Sequence, residues 1–196
     1  MKQVFSARSY SLLLVLYGAV VVLLRAPDLL SEPRFWAEEF TLYFKYASQE
    51  SWWRTLLYIP WRQGGYLSLS ANVPALLASR LVDIEFAPFV TTLFALFVHL
   101  LPVIFIAVGN SLVWNSKVRK FLFVTLYLFA PIHPEEAWAN SINSMSYLGI
   151  VSAIILLERV DQSSRRLFIL QTATLFLNGL CAVYTVFLAP AFFLKA

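Results

Sequence analysis

Two pairs of adjacent acids stand out in a chain with few charges. Glu38 and Glu39 lie in "PRFWAEEFTLYF" (33–44), and Glu135 and Glu136 lie in "HPEEAWANSINS" (133–144). A carboxylate held against aromatic rings loses water, which raises its pKa and makes it a stronger base once ionised. The pattern and the preceding Pro33 predict a helix over Phe35–Ala47. At about 100° per residue, Trp36, Phe40, Tyr43, Phe44 and Ala47 then share one face. Glu38 falls opposite, four residues after Arg34, in a solvated and ion-paired position. Glu39 falls at the edge of the aromatic face. Glu39 is therefore the first candidate for a catalytic carboxylate and Glu38 the second, against the plainer reading of an interfacial helix with a hydrated charged face.

The second pair is followed at helical spacing by Asn140 and Asn143. Acids and amides so placed could hydrogen-bond sugar hydroxyls or coordinate a divalent cation. Equally, Pro134-Glu135-Glu136 suits a first helical turn, where the helix dipole favours acids. A third stretch, "WRQGG" (61–65), sets Arg62 before paired glycines. Arg suits bidentate contact with a phosphate, and Gly permits close backbone approach. Trp61 and Arg62 would also serve as a headgroup anchor.

The elements that must position these residues are apolar. Hydrophobic residues make up 60% of the 196, and charged residues only 13%, against roughly 25% charged in soluble domains. Several runs approach the roughly 20 residues that a bilayer-spanning helix needs. No alternating segments of barrel type occur. The expected class is all-α: one polytopic membrane helix bundle over 1–196, with spans near 9–25, 86–108, 121–133, 143–158 and 167–188. Residues 26–82 form an outer loop with interfacial helices. No basic run points to nucleic acid. Cys181 stands alone, so no disulfide or Cys/His metal pattern exists.

Lys2 and Arg8, Lys117 to Lys120, and Arg159 to Arg166 mark the cytoplasmic side. These basic clusters agree only if Tyr66–Val82, interrupted by Asn72, Pro74 and Arg80, lies along or dips into the membrane. Both acid pairs then face outwards. The chain ends at "APAFFLKA" with no polar tail and reads as part of a longer protein.

This layout resembles the GT-C superfamily of polytopic glycosyltransferases, which use polyprenyl-phosphate-linked sugars. "EPRFWAEEFTLYFKYA" looks like the first-loop pattern of bacterial members, and "GGYLSLSANVPALLASRL" is similar to the segment that follows it. The resemblance implies that a first-loop acid, Glu39 or Glu38, is general base on an acceptor hydroxyl. It implies a substrate-binding role for the second-loop acids Glu135 or Glu136, a divalent cation in some members, and a polyprenyl-phosphate-linked donor in the membrane lipid. It also implies a bacterial inner membrane with a cytoplasmic N-terminus. Arg62, Asn140 and Asn143 complete the expected substrate site. The chain departs from the pattern in having Glu-Glu where Asp is frequent, which leaves open which glutamate serves. A transporter or lipid flippase, or a non-enzymatic assembly subunit, is the alternative.

Overall fold

The computed structural model describes residues 7–25, 27–36, 38–61, 65–130, 140–159, 165–181 and 183–195. Every regular element among them is helical. Helix α1 (Ala7–Arg25) ends just before Pro27, and α2 (Asp28–Ser31) is a single turn. A π-type turn over Glu39–Phe44 runs into α3 (Lys45–Gln49), followed by α4 (Trp52–Leu56) and α5 (Leu69–Leu81). Helix α6 (Ala87–Val108) is the longest, with Pro88 in its first turn, where the missing N–H costs nothing. After it come α7 (Lys117–Phe129), α8 (Ser144–Leu157), α9 (Arg165–Gly179) and α10 (Val183–Lys195).

The architecture has two tiers around α6. In the first, α1 and α7 run antiparallel to the C-terminal half of α6. Ser11 Oγ donates to Ala107 O at 2.8 Å, and Tyr127 OH donates to His99 O at 2.7 Å. Gly18 lets α1 approach closely, since a Cβ there would sit 3.0 Å from Val103. Helix α8 runs parallel to α6, with the Tyr147 ring 4.2 Å from that of His99. Leu14, Val22, Val103, Val124, Leu128 and Val151 form the core of this tier.

In the second tier, the π-type turn and α3 to α5 pack on the N-terminal half of α6. Helix α5 presents Ala71, Ala75 and Ala78 to Ala47 and Ala87, all at most 2% exposed. Small side chains let these helices approach backbone to backbone. At 13 residues, α5 is about 20 Å long, and its C-terminal Arg80 donates to the carbonyls of Ala47 and Glu50. Among the described residues, two helices are long and apolar enough to cross a membrane, Arg8–Arg25 and Ala87–Val108. Ser144–Leu157 and Tyr184–Lys195 are apolar but shorter.

Helices α7 and α8, where the spans 121–133 and 143–158 are expected, are shorter than a bilayer-spanning helix, and two further elements differ from the sequence expectation. The run expected as one helix over 167–188 is a hairpin of α9 and α10. Helix α9 ends at Gly179, where Leu180 N–H and Cys181 N–H bond back to the carbonyls of Leu177 and Asn178. The Asn178 amide donates to Leu148 O and Ser152 Oγ, both at 2.9 Å, which fixes the turn against α8. Helix α10 then returns, and Lys195 reaches the carbonyls of Leu156 and Glu158 at the end of α8. The hairpin thus starts and finishes at one end of the bundle.

The other difference lies in the helix expected over Phe35–Ala47. It begins instead at Glu38–Glu39 with wide π-type winding. The buried set becomes Glu39, Tyr43, Phe44 and Ala47, while Phe40 is 42% exposed. The acid, not Phe40, joins the inward face.

Candidate functional site

Glu39 is the second tier's buried carboxylate, 2% exposed. Its Oε2 accepts from Trp36 N–H at 3.0 Å, so the side chain covers an otherwise orphaned donor at the start of its own helix. Its Oε1 accepts from Ser141 N–H at 2.6 Å, across 102 residues of chain. The first loop is therefore pinned to the segment after the second acid pair. Burial pushes the Glu39 carboxyl above its ordinary range. The N–H groups of Trp36 and Ser141 and the Ser141 hydroxyl oppose that shift without cancelling it. An ionised carboxylate offers about four lone-pair positions, so these donors leave room for a further hydrogen.

Aromatic rings surround this point. Tyr43 meets Tyr58 edge-on at 6.0 Å, and Tyr58 stacks on Tyr46 at 3.8 Å. The Arg34 guanidinium lies 4.0 Å over the Trp36 ring. Trp36 Nε1 is buried and has no hydrogen-bond acceptor.

Glu38, adjacent in sequence, is exposed. The neighbouring acids thus occupy different surroundings. Asn140 is 2% exposed, and its Oδ1 accepts from Ile142 N–H at 2.7 Å, while its carbonyl accepts from the Ser144 N–H and hydroxyl. It builds the turn that presents Ser141 to Glu39. Asn143 precedes α8 as its N-cap residue. Arg62, Glu135 and Glu136 lie outside the described residues, as does His133.

Among the described residues no three acids, histidines or cysteines come together to hold a metal ion. Each oxygen of Glu39 accepts one N–H donor, which fixes the carboxylate in place.

Sequence reasoning did not single out Ser141. Its backbone N–H makes the long-range contact, and every residue type but proline carries that group. A second buried carboxylate, Glu158, was missed as well. It sits just past α8, 1% exposed. Its oxygens accept from Asn110 N–H and, at 3.1 Å, from Trp114 Nε1. Lys120 caps the same end of the bundle by donating to Ala107 O and Gly109 O, each at 2.8 Å. Glu158 ties the ends of α6 and α8 together, some 20 Å from Glu39 along the length of α8.

The chain matches no family model, no curated protein and no solved structure.

Proposed function

We propose that this chain is a polytopic integral membrane protein that transfers a sugar from a polyprenyl-phosphate-linked donor to an acceptor hydroxyl at the outer face of a bacterial inner membrane. The N-terminus faces the cytoplasm. The observation that carries the proposal is Glu39, a buried carboxylate in an aromatic setting where the first loop meets the second. Helices α7 and α8 meet α6 at His99. Outward-facing apolar side chains support the membrane assignment: Leu24 on α1, Leu126 on α7 and Phe187 on α10 are 67–76% exposed. In water, so much apolar surface on several helices would drive association.

In the proposed reaction Glu39 accepts the proton of the acceptor hydroxyl as its oxygen attacks the anomeric carbon. The bond from that carbon to the donor phosphate breaks, and the phosphate leaves with the electron pair. Such a base contributes roughly 10²–10⁴-fold. Arg34, which lies over the Trp36 ring, and Trp36 Nε1 are assigned as donors for an oxygen of donor or acceptor. Arg62, Glu135, Glu136 and Asn143 are assigned to substrate binding, and the buried Asn140 to holding the turn that carries Ser141.

The test is a transfer assay in proteoliposomes with polyprenyl-phosphate-linked sugars. Glu39→Gln should lower transfer by roughly 10²–10⁴-fold while Glu38→Gln stays near wild type. Equal activity of the two variants, with both folded, would remove Glu39 as base. One observation favours the transporter or flippase reading: the α9–α10 hairpin turns back on itself, as interrupted helices of transporters do. Substrate uptake without sugar transfer would select it.

A further inference from the structure

At the end of the bundle far from Glu39, a cavity of about 760 Å³ opens between the last turn of α8, the segment after α6, and the α9–α10 hairpin. Its walls are apolar, with Leu112, Ile155, Phe168, Leu175 and Phe192 prominent. The volume lies within the roughly 300–1,000 Å³ of small-ligand sites. Its polar lining residues are Glu158, Arg159, Gln171, Thr172 and Lys195.

Gln171 separates a binding site from a packing gap. It is 4% exposed, and its Nε2 has no hydrogen-bond acceptor. A buried donor left so is unfavourable. A turn of the side-chain amide towards a ligand oxygen in the cavity that Gln171 lines would relieve it.

The charge of this end specifies the ligand further. Arg159 and Lys195 line the cavity, and Arg165 and Arg166 open α9 beside it. The Glu158 carboxylate, hydrogen-bonded by Asn110 and Trp114, offsets one of these charges, and Lys195 also donates to the carbonyls of Leu156 and Glu158. Arg159, Lys195, Arg165 and Arg166 against that one acid leave the described residues of this end net cationic beside apolar walls. That pairing fits a molecule with an anionic head and a long apolar tail. Basic pockets between helices on the cytoplasmic side hold anionic headgroups, at about 1 kcal/mol per Lys or Arg.

We infer that this cavity is a binding site for an anionic phospholipid of the cytoplasmic leaflet, with one acyl chain between α8 and the hairpin, and the headgroup on Arg159, Lys195 and Gln171. The inference rests on the membrane part of the proposed function and is independent of sugar transfer.

The test incubates the full chain with vesicles of equal parts phosphatidylglycerol and phosphatidylcholine, extracts it in mild detergent, and reads retained lipid by native mass spectrometry. One phosphatidylglycerol per chain is expected, preferred over phosphatidylcholine by roughly tenfold. Thr172→Trp, which fills the cavity, should abolish retention of both. Gln171→Leu should lower retention several-fold without lowering the melting temperature, since it removes an unpaired donor. Lys195→Gln with Arg159→Gln should erase the preference between lipids.

Equal retention of the two lipids by the wild type would overturn the anionic-headgroup assignment. Unchanged retention in Thr172→Trp would place any bound lipid elsewhere. Gln171→Leu that raises stability and leaves retention intact would make Gln171 a packing defect. Retention of neither lipid, with Thr172→Cys chains cross-linking to one another, would assign the face to a second copy. Because none of these readouts involves sugar transfer, loss of this site and loss of the catalytic reading are distinguishable.

Discussion

Replacing Glu39 by alanine leaves two buried donors, Trp36 N–H and Ser141 N–H, without their acceptors. Each orphaned donor costs about 1–3 kcal/mol, so the substitution should cost about 2–6 kcal/mol. Glutamine keeps one acceptor oxygen and turns an amide NH₂ towards the other donor. Glu39→Gln should therefore cost about 1–3 kcal/mol. The order wild type, Gln, Ala is the first expectation, measured by denaturant unfolding of the chain in detergent. Amide hydrogen exchange gives a local check, because the Ser141 amide should exchange faster in Glu39→Ala than in wild type.

The acidity of the group adds a pH dependence. Burial raises the Glu39 carboxyl above its ordinary value of 4.5 in the folded chain. Over the window from 4.5 upward to the raised value, the folded chain holds more protons than the unfolded one. Stability from this group therefore falls as pH rises through that window. Glutamine does not titrate. The advantage of wild type over Glu39→Gln should be greatest at the acid end and narrow as pH rises. A Glu39→Ala protein within about 0.5 kcal/mol of wild type, or a gap that widens with pH, would refute the reasoning.

Three further outcomes are expected. Gly109→Ala would place a methyl 2.5 Å from Phe105 O and against the Glu158 carboxylate, so unfolding should show a loss of about 1–3 kcal/mol. Trp114→Phe removes the indole N–H that Glu158 accepts and should cost about 1.5–3 kcal/mol, read by the same measurement. In a Cys181→Ala background, Ser116→Cys should resist a membrane-impermeant thiol reagent applied outside intact cells, and ready labelling there would reverse the proposed orientation.

The helices on either side of these sites were legible because long apolar runs are local signals. The start of α7 was not read: the span was expected from residue 121, whereas Ser116 caps the helix by accepting from Arg119 N–H at 3.3 Å. The different surroundings of Glu38 and Glu39 were legible from helical projection, even though π-type winding replaced the expected α geometry. The turn at Gly179 was written in the sequence as "LNGL", an Asn-Gly pair that signals a turn. Counting apolar residues across 167–188 masked it. Glu158 was illegible for another reason. It lies in "ERVDQSSRR" among arginines that drew attention as topology markers. Its partners, Asn110 and Trp114, stand 48 and 44 residues earlier. No local pattern announces a contact of that separation.

The unequal lengths of the helices have a consequence for the surrounding lipid. Helix α6, with 22 residues, is about 33 Å long, whereas α7 and α8, with 13 and 14, are about 20 Å. The hydrocarbon layer of a bilayer is about 30 Å thick. Placed in one, α6 matches it and its two neighbours fall short. Such mismatch is relieved by thinning of the adjacent leaflet. Beside α7 and α8 the headgroups would then be drawn inward towards the level of His99. A lipid-borne substrate of the proposed reaction would then approach the bundle with its chain still in the oil.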